Sequence, residues 1–175
     1  IAVNTINKRR SFLGLVGAWA WACHPTLNAQ TLCPKPVGRP VLVLRTSRSA
    51  TAPCDLQALD QMPQKTLETQ LPPSLGLSGR HRWSGVPLSH IAGLLGAGPD
   101  AEVQLIALNN YAVSVPMRDL RRYDPVLASR RNGKPLSVRD KGPLILIYPF
   151  DRHRELDAQA YLNRSIWQVH EIRIP

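Results

Sequence analysis

The chain has 175 residues, of which 43% are hydrophobic; 22 Lys and Arg stand against 12 Asp and Glu, for a formal net charge of +10. A basic balance admits nucleic acid, anionic lipid or an acidic small ligand as partner. The arginines are scattered and not interleaved with aromatics, which argues against nucleic acid.

Lys8, Arg9 and Arg10 form a positive block, followed by an uncharged apolar run from Phe12 to Cys23 and then Leu27-Asn28-Ala29. These are the three parts of a secretory signal, with cleavage expected near Ala29. The apolar run is shorter than the ~20 residues that a membrane-spanning helix needs. Arg9-Arg10-Ser11-Phe12-Leu13 resembles a twin-arginine signal, the route for proteins folded before export. Residues 1–29 therefore read as a signal peptide and 30–175 as one exported domain, placed in the periplasm. Three cations leave with the signal, taking the charge from +10 to +7.

Residues 30–40 are a proline-rich lead-in, and Val41-Leu42-Val43-Leu44 is a buried strand candidate. Thr46 to Pro53 reads as a polar turn region, and Asp55 to Leu59 as a short helix closed by Met62-Pro63. Lys65 to Gln70 alternates like a strand; Pro72 to Gly79 is a loop; Arg82 to Pro87 is extended. Ser89 is placed to cap a helix running to Leu95 and stopped by Gly96 and Gly98. Val103 to Leu108 and Ala112 to Val115 pair around an Asn109-Asn110 turn. Asp124 to Arg131 reads as a short helix ending at the Asn132-Gly133 turn. Leu144 to Tyr148 is a strongly apolar strand, and Ile166 to Ile174 alternates as a closing strand. The expected class is α+β, with several short strands and short helices packed around them.

The exported part keeps Cys33 and Cys54. An oxidising compartment favours a bridge between them; two separate thiols are the alternative. No C-x-x-C pair supports a zinc ribbon or thioredoxin-type site. There is no G-x-S-x-G elbow, no H-E-x-x-H and no Gly-rich phosphate loop. His81, His90, His153 and His170 match no common metal spacing. Candidate chemistry therefore rests on arginines, aromatics and amides at strand ends. These are Asn109-Asn110-Tyr111, Tyr148-Pro149-Phe150-Asp151 and Arg164-Ser165-Ile166-Trp167. Loops of that kind suit a small heteroaromatic ligand.

From about Asp55 onward the sequence resembles the molybdopterin-binding domain of the sulfite oxidase family. The resemblance is carried by Trp83-Ser84-Gly85-Val86-Pro87-Leu88 running into Ile91-Ala92-Gly93-Leu94-Leu95, then Asn110 to Pro116. Asn132-Gly133-Lys134-Pro135-Leu136, Lys141-Gly142-Pro143-Leu144, Tyr148-Pro149 and Trp167-Gln168 follow. The resemblance implies that family's mixed α+β fold as a single domain. One departure matters. Oxidoreductases of the family hold molybdenum through a cysteine just before the Gly-Val-Pro-Leu piece, whereas this chain reads Leu67-Glu68-Thr69-Gln70-Leu71-Pro72-Pro73. No side chain there replaces a thiolate.

With that deficit the chain resembles a subgroup of small periplasmic proteins that bind a reduced pterin without metal. They signal to the periplasmic part of an inner-membrane protein, often one handling cyclic di-GMP and so biofilm regulation. The resemblance thus implies a reduced pterin as ligand, no molybdenum, no catalysis and a membrane signalling partner; a molybdopterin oxidoreductase with an atypical ligand set is the alternative. A pterin ring would stack on Trp83, Tyr111, Tyr148 or Trp167. Its amino edge would be met by Asp151 or Asn110, and its carbonyl by Arg131 or Arg164.

Overall fold

The computed structural model describes residues 31–175; the segment read as a signal peptide, with Arg9 and Arg10, lies outside the described residues. Among the described residues, ten strands form two sheets, with four short α-helices around them. The first sheet has the order β2 (Thr51–Cys54), β1 (Leu42–Arg45), β10 (Val169–Arg173), β5 (Glu102–Ala107), β6 (Ala112–Pro116); the second has β3 (Lys65–Gln70), β4 (Arg80–Pro87), β7 (Val126–Arg131), β8 (Lys134–Pro135), with β9 (Ile145–Ile147) also paired to β7.

β1 (Leu42–Arg45) alternates buried and half-buried residues, as a strand with one face on a core must. It pairs antiparallel with β2 (Thr51–Cys54) and parallel with β10 (Val169–Arg173). The polar turn expected up to Pro53 is therefore shorter: Thr51–Cys54 is extended edge strand, a place where Pro53 is tolerated. β5 (Glu102–Ala107) and β6 (Ala112–Pro116) form the expected pair around Asn109-Asn110, with Asn110 at φ 66°. In the second sheet, β3 (Lys65–Gln70) pairs with β4 (Arg80–Pro87), and β4 with β7 (Val126–Arg131).

β7 is the main correction to the sequence reading, which has a helix from Asp124 to Arg131. Val126, Leu127, Ala128 and Ser129 are all buried. A central strand covered on both faces shows no alternation, so its apolar run is indistinguishable from a buried helix by period alone. The helix sits one step earlier, as α3 (Met117–Tyr123). It ends where Asp124 turns left-handed at φ 44° ahead of Pro125. Asn132 and Gly133, both at positive φ, then make the tight turn into β8 (Lys134–Pro135).

Ser89 does not cap α2 (Leu88–Leu94). Its hydroxyl donates instead to Asp124 Oδ1 at 2.7 Å, and the helix starts directly after Pro87. α2 packs on β4 and α3. Gly85 sits where β4 slips register against β7. A Cβ there would strike the Leu127 carbonyl oxygen and come within 2.8 Å of the Ala128 Cα.

The two sheets are joined through β9 (Ile145–Ile147). One edge of β9 pairs with β7. On its other side Ile145 bridges Trp167, the Leu146 amide donates to the Ile166 carbonyl at 2.9 Å, and the Val169 amide donates to the Leu144 carbonyl at 3.0 Å. The closing strand is consequently shorter than the alternation suggests. Trp167 and Gln168, the latter at φ 55°, form an irregular lead into Val169.

The lead-in is fixed at two points. Cys33 and Cys54 are bridged, with Cα atoms 5.8 Å apart. Next to the bridge, Asp55 caps α1 (Leu56–Asp60) by accepting from the Ala58 amide at 2.7 Å. Its other oxygen accepts from the Val37 and Gly38 amides at 2.8 and 2.5 Å. Donation from Gly38, Ala58 and Val37 holds the Asp55 carboxyl below its ordinary range.

Two outcomes are expected. Replacing both bridged cysteines by serine opens a loop of 21 residues and lowers unfolding free energy by about 3 kcal/mol, read by urea denaturation. Because the Asp55 pKa is depressed by folding, its contribution is complete above pH ~4 and is lost as pH falls through the folded value. Asp55→Ala should therefore lower the melting temperature at pH 7 and bring it closer to the parent's at pH 3. An equal decrement at both pH values contradicts this.

Candidate functional site

A cleft of about 360 Å³ opens where the ends of β5 and β6, helix α4 (Gln159–Arg164) and the Ser165–Trp167 segment meet the loop at Ser74-Leu75. Its size falls within the ~300–1,000 Å³ usual for small-ligand sites. Each wall has a local cause. Asn109 Oδ1 accepts from the Tyr111 amide at 3.1 Å, an Asx turn that sets the Tyr111 ring beside the strand ends. The bridge to Ile145 and a 3.0 Å bond from the Gln168 amide to the Lys141 carbonyl hold Trp167. α4 packs on β6, and the Tyr111 hydroxyl donates to the Asn163 carbonyl at 3.4 Å across the mouth.

Among the described residues no ionised side chain lines the cleft. Tyr111 is 47% and Trp167 37% exposed, so each offers aromatic surface. Lys141 Nζ sits 3.6 Å from the Trp167 ring centroid, as a cation on the aromatic face. The polar lining is partly engaged: Gln159 Nε2 donates to Asn163 Oδ1 at 2.7 Å, and Ser165 Oγ donates to the Tyr161 carbonyl at 3.2 Å. Asn109 Nδ2, Asn163 Nδ2, Gln159 Oε1 and the Ser74 hydroxyl have no side-chain partner among the described residues. The residues that line the cleft thus carry amide donors, an amide acceptor and a hydroxyl beside two aromatic rings. Such a set matches the carbonyl and N–H edges of a neutral bicyclic heteroaromatic.

Of the candidate residues, Tyr111 and Trp167 line this cleft, and Asn110 is the turn residue between two lining neighbours. The other five are placed elsewhere. Trp83 and Tyr148 are wholly buried, so neither ring can stack on a ligand. Trp83 belongs to the core of β4, edge-on to His81 at 5.8 Å. Tyr148 packs among Tyr123, Phe150 and Tyr161 at 5.8 to 6.3 Å, and burial pushes its phenol well above the ordinary value. Arg131 lies 6.0 Å from the Trp83 ring and 3.8 Å from Asp140, and does not line the cleft.

Asp151 lines a separate, more open groove with Gln70, Leu71, Pro72 and Arg80. It accepts from Thr69 Oγ1 at 2.6 Å and pairs with Arg80 at 2.5 Å. Burial works to raise its pKa, but the Thr69 hydroxyl and the Arg80 charge outweigh it and hold the carboxyl below its ordinary value. Arg164 is tied to Asp119 at 2.8 Å and to the Ser114 carbonyl at 3.2 Å. Residues that sequence reasoning missed are Ser74, Gln159 and Asn163. Nothing in their spacing marks them, because only tertiary packing brings α4 and the Ser74-Leu75 turn together at the cleft.

A molybdenum-bearing pterin of the kind the family resemblance implies needs a thiolate among its donors. The stretch Leu67 to Pro73, where the resemblance looks for the thiolate, lines the Asp151 groove with Gln70 to Pro73 and then runs on to Ser74-Leu75 at the cleft. Both described cysteines are in the bridge and buried. Among the described residues no thiolate and no cluster of three His, Cys, Asp or Glu is available to a metal. The lining fits a pterin ring and does not fit a thiolate-held molybdenum.

The family model of the oxidoreductase molybdopterin binding domain matches residues 30–150. None of the curated proteins matches the chain in sequence. Among solved structures, the sulfane dehydrogenase SoxCD from Paracoccus pantotrophus is similar, with a TM-score of 0.55 and 19% identity. The match covers 76% of this chain but only 37% of that one, so the likeness speaks for fold alone. With two curled sheets, short peripheral helices and a match over most of its length, the chain belongs to the oxidoreductase molybdopterin binding domain family and has its mixed α+β, sulfite oxidase-type fold.

Proposed function

We propose that the protein is a periplasmic pterin-binding sensor, exported by the segment up to Ala29 and folded as one domain over 30–175, and that it is not a redox enzyme. The observation that carries this reading is the pairing of two features in one place. The cleft is lined by Tyr111, Trp167 and the amides of Asn109, Gln159 and Asn163, while the two described cysteines are closed in a bridge. The ring would stack on an aromatic face, and Asn109, Asn163 and Gln159 would meet its polar edge. The partner in this reading is the periplasmic part of an inner-membrane protein, of the kind that makes or degrades cyclic di-GMP or acts as a kinase. Ligand binding rather than turnover is then the signal.

The second reading is a molybdopterin-dependent oxidoreductase with an atypical ligand set, favoured by membership of the family itself. When bound, such a group would supply oxygen-atom or electron transfer.

One preparation separates the two. Protein purified from periplasm is denatured without oxygen, and the released material is assayed for fluorescent pterin and for molybdenum. Pterin without molybdenum is expected; stoichiometric molybdenum would make the protein an enzyme. The lining gives a second expected outcome. Trp167→Ala removes a stacking face worth about 1 kcal/mol, so pterin affinity should fall about fivefold. Trp83→Phe should leave affinity within about twofold and lower only stability, because that ring never reaches the cleft. Equal losses from both would contradict the assignment.

A further inference from the structure

The sequence makes Arg164 a candidate ligand donor, but its guanidinium has other work. Arg164 ends α4, the helix that supplies Gln159 and Asn163 to one wall of the cleft. Its Nη1 donates to Asp119 Oδ2 at 2.8 Å and its Nε to the Ser114 carbonyl at 3.2 Å. Ser114 lies on β6 and Asp119 on the helix that follows it, so both acceptors belong to the segment that begins at Tyr111, the opposite wall. Asp119 is only 3% exposed and Arg164 is part-buried, stacked 5.4 Å from the Tyr161 ring. Nearer the mouth the same two walls meet again, through the exposed, 3.4 Å bond from the Tyr111 hydroxyl to the Asn163 carbonyl.

We propose that Arg164 is a positioning residue: through Asp119 and Ser114 it pins α4 to the β6–α3 segment and so fixes the spacing between the Asn163 and Tyr111 walls of the cleft. A buried charged bond is strong when both partners are present, and removing one leaves an uncompensated charge. The outer bond is exposed and weak. The geometry thus combines a firm inner hinge with a mouth that opens at small cost. A ligand entering beside Tyr111 needs only the outer bond to yield. The proposal extends the pterin reading to a residue that never touches the ligand, and it is stated so that it survives or fails without that ligand.

The test is amide hydrogen exchange on the exported domain, with and without tetrahydrobiopterin as probe. Arg164→Met alone strands Asp119 and risks misfolding, so the informative variant is Arg164→Met/Asp119→Asn, which leaves no unpaired charge. Without probe, peptides covering 159–165 and 111–116 should exchange about tenfold faster than in the parent, while those of β3, β4 and β7 stay unchanged. Leu44→Ala, a core variant far along the chain from the pin, supplies the contrast: it should raise exchange broadly. Unchanged exchange in both segments, or the broad pattern of Leu44→Ala, would overturn the proposal. With probe, parent affinity should exceed that of the double variant about tenfold, and Leu44→Ala should bind like the parent. If the parent itself does not bind the probe, the pterin reading loses support, and the exchange pattern still decides the role of Arg164.

Discussion

The structure depends on one seam of backbone hydrogen bonds, where Leu144 and Leu146 meet Ile166 and Val169. β9 already pairs with β7 in the second sheet. Its second edge would carry buried, unpartnered amides and carbonyls if the chain entering β10 were not laid against it. Satisfying those groups draws Trp167 to the junction and prevents it from joining the first sheet in regular register. The irregular approach leaves a gap between the strand ends and α4, and that gap is the cleft. The site is thus a by-product of how two sheets share one strand.

The same economy governs the cysteines. A family whose name is tied to molybdopterin is represented here by a domain whose described thiols serve only to anchor the lead-in. The bridge and the Asp55 cap act on the same short stretch, so the lead-in is held from Cys33 to Gly38 although that stretch has no regular secondary structure. Charge is kept away from the ligand space as well. Asp151 is engaged by Thr69 and Arg80, Asp119 by Arg164, and the Lys141 ammonium by the Trp167 ring. A neutral cleft in a strongly basic chain favours ring stacking and amide hydrogen bonds over capture of an anion at its centre.

Much of this fold is legible in the sequence where local rules and tertiary structure agree. β3, the β5–β6 pair, the Asn132-Gly133 turn and the short helix after Asp55 are where residue pattern and turn chemistry place them. Reading fails where both faces are buried, as in β7, whose Val-Leu-Ala-Ser run has no period to betray it. It fails again for α4, a short helix with no buried residue of its own, held in place by the Arg164 pin and by Tyr111. Of the candidate residues, Tyr111 and Trp167 line the cleft, each an aromatic beside a turn or a strand start. Trp83 and Tyr148 have the same sequence setting but are buried, since only packing distinguishes a buried ring from an exposed one. Arg131, Asp151 and Arg164 lie outside the cleft, because a charge on a loop or helix end gives no hint of the partner it meets.

The central claim is that a pterin ring occupies the space between Tyr111, Trp167 and α4. A crystal structure of residues 30–175 grown anaerobically with a reduced pterin tests it most directly. The account predicts a flat bicyclic ring stacked in this cleft, its polar edge against the amides of Asn109 and Asn163, with Cys33 and Cys54 still bridged. A ring bound in the groove beside Asp151, or a metal held by a cysteine thiolate, would contradict it.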